Sequence, residues 1–410
     1  MARQHLSRYS AALAVFGVAV FLGSFFLASC GSSGSPSGGS GPGGGTGNVG
    51  GFAAGIGGAG QTTSAQFLIA TQVPGLNPIA TSINSSGTLT AANVTVNHYS
   101  VFNPMAITGA IDPSGTYFYE AVHPGLWAFT INRQNGNLTE ISASPYDDTV
   151  NFDAVVVDQL GKFVYAYAGA GEVYAYSLQS GTGQLSPITG SPFTAATSGD
   201  QFPVAANRIA VSQDDKYLYV ATSAGIDAYS INATTGALTS VSGSPFGASA
   251  GAGFALMAPS SGFLYETIQT NTPPAPGIYG YSIDPSTGAL ASISGSPFGS
   301  SCGAADPTSP ANGKFLFAAG CGMYQINASA GALTFLFSDP QAPNDGWAAF
   351  DPASAFLWIV TSQAPCFDCN IGVDAYQVDA STGNLTLVPN SFYLMQNSQV
   401  GGIQALAITH

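Results

Sequence analysis

Basic side chains are scarce in this chain, with seven Lys and Arg in 410 residues against 21 Asp and Glu. Two of the seven, Arg3 and Arg8, precede residue 30, and every acid follows it. The remainder carries five bases against 21 acids, a net charge of −16. Nucleic-acid binding depends on Lys and Arg neutralising phosphates, so DNA and RNA are excluded as partners. Docking on an anionic membrane through a basic patch is excluded on the same ground. Charge of either sign is low, at 7% of residues. Helices in water carry Glu, Lys and Arg on their exposed faces, and this chain has too few to clothe many. Its surface must instead be Ser, Thr, Asn and Gly, the residues of strands and turns. Histidine is equally sparse, with four copies. No His-rich metal motif, phosphate loop or Ser-His-Asp elbow is present, so neither a metal nor a cofactor is expected.

The first thirty residues read as an address. "MARQHLSR" is a short basic segment, and "AALAVFGVAVFLGSFF" is an apolar run of sixteen residues. That run suits a signal sequence and is short for a membrane span. "LASC", Leu27 to Cys30, resembles the bacterial lipobox. The resemblance implies cleavage before Cys30, which then receives lipid. Several acyl chains on one residue anchor a protein firmly. Gly31 follows Cys30, not Asp, so the same resemblance implies the outer membrane or cell surface rather than the inner membrane. Residues 31 to 60 hold no charge and almost no large side chain, the composition of a tether. The expected layout is a signal peptide at 1–29, lipidated Cys30 with its tether at 30–64, and a folded head at 65–410.

The head repeats itself. A Gly-x-Leu step recurs at Gly87, Gly136, Gly183, Gly236, Gly288, Gly331 and Gly383, at spacings of 43 to 53 residues. One unit reads as four strands: A "RIAVS", B "KYLYVAT", C "IDAYSIN" and D "ALTSVS", closed by "GSPF". Phe129, Tyr176, Tyr229, Tyr281, Tyr324 and Tyr376 occupy one place in strand C and form a packing column. The Pro of "SPF" cannot donate to a ladder, so it is expected just after the outer strand. Seven four-stranded units predict an all-β, seven-bladed β-propeller. The head starts at "AQFLIAT", which matches strand B, and the chain stops at "IQALAITH", which matches strand A. The C-terminal strand is therefore expected to complete the N-terminal blade and close the ring. Strand A is expected near Ile107, Val155, Ile209, Ala255, Ala304, Ala348 and Leu406. A single-domain monomeric head follows.

Loop lengths choose a face. The A–B and C–D turns are short, with one longer A–B connection expected near Pro307. Several D–A connections and two B–C loops are long, and both kinds lie at the other end of the strands. Ligands meet loops carried by a rigid scaffold. The residues expected around the channel mouth at that end are Asp153, Asn207, Arg208, Trp347 and Gln404, with His123 in a B–C loop. Arg208, Glu120 and His123 are the candidates for chemistry there. An ion pair between Arg208 and Asp153 is the structural alternative.

Four cysteines follow Cys30: Cys302, Cys321, Cys366 and Cys369. An exported protein meets an oxidising compartment, so disulfides Cys302–Cys321 and Cys366–Cys369 are expected. A redox-active "CFDC" or a zinc site is the alternative. The first lacks a helix N-terminus to lower the thiol pKa, and the second would need cysteines from different blades.

The repeat "DDKYLYVATSAGIDAYSINATTGALTSVSGSPF" resembles the bacterial lactonase family of seven-bladed propellers, which includes 6-phosphogluconolactonase-like enzymes and related muconate cycloisomerases. The resemblance spans residues 65 to 410 and rests on blade-building positions, which specify fold. It implies a polar cluster at the channel mouth, with Pro-Arg-His opening a strand A and Asn-Glu following a strand B. Here "ANRIAVS" sets Asn207 and Arg208 on the Arg and His positions, while Ala221 and Thr222 replace Asn-Glu. No motif residue carries over intact. The expected function is binding of a protein, glycan or small molecule at the loop-rich face of a lipid-anchored envelope protein. A lactonase and a purely structural surface protein are the alternatives.

Overall fold

A computed structural model describes residues 66–72, 78–91, 105–169, 171–195, 208–247, 253–260, 262–268, 276–299, 307–341, 347–362, 371–396 and 403–409. These form seven antiparallel sheets and no helix. Blades 1 to 6 span 105–140, 152–194, 209–240, 253–292, 307–337 and 348–396. Blade 7 joins Gln66–Gln72, Ile79–Ile83 and Leu89–Ala91 to the C-terminal strand Ile403–Ile408. The expected strand exchange is therefore present, with Ile69 opposite Ala407 and Ala70 opposite Leu406. Thr409 locks the seam: its hydroxyl accepts from the Phe67 N–H at 2.8 Å, and its own N–H donates to the Phe67 carbonyl at 2.9 Å. The seven inner strands touch in cyclic order, from Met105–Ile111 round to Ile403–Ile408 and back.

The core follows from the ring. Each blade buries both faces, so its strands alternate toward two neighbours rather than toward core and water. Seven hydrophobic clusters result, each drawn from two adjacent blades. The strand C aromatics Phe129, Tyr176, Tyr229, Tyr281, Tyr324 and Tyr376 are all buried in these layers.

The Gly-x-Leu step is a fastener between blades. Gly236 sits at φ 71°, and a Cβ there would lie 2.5 Å from the Phe163 ring of the preceding blade. The other six glycines of the series meet a strand B aromatic in the same way, Gly87 against Phe356 and Gly136 against Phe67 across the chain ends. The residue two places further along strand B adds a hydrogen bond where it has a polar end. The hydroxyls of Tyr119, Tyr165, Tyr219 and Tyr265 donate to the carbonyls of Gly183, Gly236, Gly288 and Gly331 at 2.6 to 3.0 Å. The Trp358 indole N–H serves Gly87 at 3.1 Å.

"GSPF" does more than end a blade. The main-chain ladder between strands C and D pairs three residues, as Tyr229–Ile231 with Leu238–Ser240, and ends on one further bond, from the Val241 N–H to the Ala228 carbonyl at 2.8 Å. The next strand C amide would be orphaned, and the serine hydroxyl takes it. Ala128, Ala175, Ala228, Gly280 and Ala375 donate to Ser144, Ser191, Ser244, Ser296 and Ser391 at 2.9 to 3.2 Å. The aromatic that follows pairs again with the start of strand C, as Leu126 with Tyr146, Ile226 with Phe246 and Ile278 with Phe298. The proline lies after the outer strand as expected, and the aromatic beyond it adds a further bridge to strand C. Ser391 keeps the bond in a repeat without the proline, so the hydroxyl is the working part.

Two boundaries differ from expectation. Pro307 lies inside the inner strand of blade 5, Pro307–Thr308, not in a long A–B turn. A proline fits there because an innermost strand leaves its channel side unpaired. The place expected for that strand, near Ala304, lies outside the described residues. His123 is the last residue of strand Tyr117–His123 rather than part of a loop.

Candidate functional site

The mouth formed by the starts of the inner strands brings two of the expected residues together. His123 ends strand B of blade 1, and Asp153 lies at the start of strand A of blade 2. A shift of register between Phe152 and Ala154 lets Asp153 stand out of the ladder. Its Oδ1 lies 2.8 Å from His123 Nε2, and both side chains keep a little exposure, 16% for His123 and 10% for Asp153. A neutral imidazole that donates through Nε2 holds its lone pair on Nδ1. This pair can therefore accept a hydrogen bond from a ligand, or a proton from a bound water.

Arg208 lies on a different blade. It is 1% exposed and immediately precedes Ile209–Val211 of blade 3. Ile209 packs toward blade 2 and Ala210 toward blade 4. Asp153 Oδ1 is paired with His123 Nε2.

The other residues spread round the ring. Glu120 is fully buried within strand Tyr117–His123 of blade 1. Trp347 is half-buried between blades 6 and 7, and its carbonyl accepts from the Val360 N–H at 2.9 Å. Gln404 lies in the closing strand Ile403–Ile408, and its side chain is outside the described residues. Asn207, Cys30, Cys302, Cys366 and Cys369 lie outside them altogether. Cys321 is buried in the turn after strand Phe315–Ala318 rather than at the strand's end. Among the described residues no group of three or more His, Cys, Asp or Glu could hold a metal.

The equivalence of Glu120 and Glu266 near the end of strand B is legible in the sequence, but the environment of Glu266 and the role of Gln341 are not. Glu266, at the position of blade 4 that Glu120 fills in blade 1, is pushed up to about 7 by burial, against the Tyr281 hydroxyl donating at 3.2 Å. Gln341, on the connection from blade 5, donates from Nε2 to Asp374 at 3.0 Å and to the Tyr376 hydroxyl at 2.7 Å. Its Oε1 accepts from the Thr361 hydroxyl at 2.9 Å. Strand C tyrosines thus hold incoming connections as well as core. Tyr229 donates to the Thr194 carbonyl at 2.9 Å, and Tyr176 bonds Asp147. The tyrosine column was legible, but not that its hydroxyls reach across blade boundaries.

No protein-family profile and no curated protein sequence matches the chain. Solved structures do. A provisionally named 6-phosphogluconolactonase from Bacteroides uniformis is similar over 84% of this chain and 99% of its own, at 17% identity and a TM-score of 0.60. A second, from Bacteroides fragilis, covers 86% and 99% at 17% identity and a TM-score of 0.58. A periplasmic gluconolactonase of Pseudomonas aeruginosa covers 85% and 99% at 15% identity and a TM-score of 0.59. The chain shares the lactonase-type propeller fold, and likeness at such identity is likeness of fold.

Proposed function

We propose that this protein is an exported, lipid-anchored β-propeller that binds a ligand at the loop-rich end of its channel. The reading rests on the His123–Asp153 pair, which offers partly exposed hydrogen-bonding groups where two blades meet. Lipidation of Cys30, the tether, the disulfides Cys302–Cys321 and Cys366–Cys369, and a monomeric head complete it. Binding is favoured over catalysis because opening a lactone needs a donor or cation for the oxyanion beside the base. Arg208 is fully buried on blade 3, whereas His123 and Asp153 keep some exposure at the boundary of blades 1 and 2.

The same pair supports a second reading. With Asp153 orienting the ring, His123 Nδ1 would act as the base that activates water on a sugar lactone, the compound class in the names of the similar structures. Titration of the purified protein with glucono-δ-lactone and gluconate tests the first reading. A saturable shift that Asp153→Ala removes supports it. Titrations that stay flat, or that Asp153→Ala leaves unchanged, refute a small-molecule site at this pair.

A further inference from the structure

A cavity lies at the opposite end of the channel from the His123–Asp153 pair. It is a half-open hollow of about 250 Å³, lined from blades 2 to 6 and by Ile408 of the closing strand, so it lies on the ring's axis. Its residues follow the ends of the inner strands, where the short A–B turns begin. The walls are Met257, Phe350 and prolines, among them Pro310. The polar groups between them are Gln159, Gln213, Ser309 and Asp351.

We propose that this cavity is a second ligand site and that it takes a neutral single-ring polyol, of the size and chemistry of a pyranose. The size follows from the volume, which is below the range of roughly 300–1,000 Å³ that suits larger ligands. Neutrality follows from the lining. Among the described lining residues none is Lys, Arg or His, so they offer an anion no counter-charge. The one carboxylate, Asp351, already accepts the Ala355 and Phe356 N–H groups at 2.6 and 2.7 Å through Oδ1. That oxygen serves the turn and is not waiting for a cation. The remaining groups both donate and accept. Gln213 Nε2 donates to the Ala258 carbonyl at 3.1 Å. The exposed Gln159 carboxamide offers a donor and an acceptor, and the Ser309 hydroxyl, which donates to the Pro310 carbonyl at 3.2 Å, offers an acceptor. Hydroxyls that donate and accept, set on a ring with apolar C–H faces, match amides spaced between proline and phenylalanine walls.

The test uses the full-length protein and three neutral probes, the methyl pyranosides of glucose, galactose and mannose, with gluconate as the anionic comparison. Saturation-transfer NMR followed by titration is expected to show saturable binding of at least one pyranoside that gluconate does not displace. Ala311→Trp, which fills the cavity from an exposed turn, is expected to abolish it. Gln159→Ala, also at an exposed turn, is expected to weaken it about tenfold, the equivalent of one lost hydrogen bond. His123→Ala, at the other mouth, is expected to leave it intact, which separates this site from the one proposed above. Absence of saturable binding by all three pyranosides, displacement by gluconate, or binding that survives both cavity substitutions would overturn the assignment.

Discussion

His123 Nε2 and Asp153 Oδ1 meet at 2.8 Å across the boundary between blades 1 and 2. The contact couples the end of one blade's second strand to the start of the next blade's first. It is a link in the ring as well as a candidate site. A double-mutant cycle with His123→Ala and Asp153→Ala is expected to return a coupling of about 1 kcal/mol, the usual worth of a partly exposed hydrogen bond. Denaturant unfolding measures it, and additive losses would mean that the pair contributes nothing to the seam.

The glycine fasteners make a sharper stability prediction. Gly236→Ala places a methyl group against Phe163 in a left-handed backbone, and it is expected to cost about 2–4 kcal/mol. Gly181 has φ 91° and open space around its Cβ position. Gly181→Ala is therefore expected to cost only the backbone part, about 1 kcal/mol. Equal losses at the two positions would remove the fastener role.

Glu266 should make stability depend on pH. Its folded-state pKa, raised by burial to about 7, lies above the ordinary carboxylate value, so the folded state holds its proton longer than the unfolded state. Stability is expected to fall as pH rises from about 4.5 to about 7, and then to level off, by about 3 kcal/mol in all. Glu266→Gln keeps an acceptor for Tyr281 and carries no charge. It is expected to flatten this part of the profile and to raise the melting temperature at pH 8. An unchanged profile in the variant would assign the dependence elsewhere.

Much of this architecture is legible in the residues, for local reasons. The seven glycines mark one turn because only that residue tolerates both the backbone angle and the aromatic above it. The strand-B start and strand-A finish of the head show the ring closure because each strand keeps its own pattern. What the sequence hides depends on neighbours. Proline in "SPF" reads as the end of a strand, yet the serine before it completes strand C's hydrogen bonds and the aromatic after it resumes pairing. Pro307 reads as a turn for the same reason and lies in a strand. Arg208 and Asp153 read as a possible pair because both open an inner strand. A register shift turns Asp153 toward His123, which neighbouring residues in the sequence do not announce. The cavity at the far mouth is hidden entirely, because a short turn says nothing of the space it encloses.

The cellular address can be tested apart from the fold. Cells fed a fatty-acid analogue are expected to label the protein, and Cys30→Ser is expected to abolish the label. Mass spectrometry of unreduced peptides is expected to find Cys302 linked to Cys321 and Cys366 linked to Cys369. Labelling that persists in the variant would contradict the anchor, and four free thiols would contradict the disulfides.

Hydrolysis of sugar lactones by the purified protein, corrected for spontaneous opening and run beside His123→Ala, tests the central claim most directly. A binding propeller is expected to show no turnover above background with either protein. Turnover that collapses in His123→Ala would contradict that claim and make the His123–Asp153 pair the centre of an enzyme.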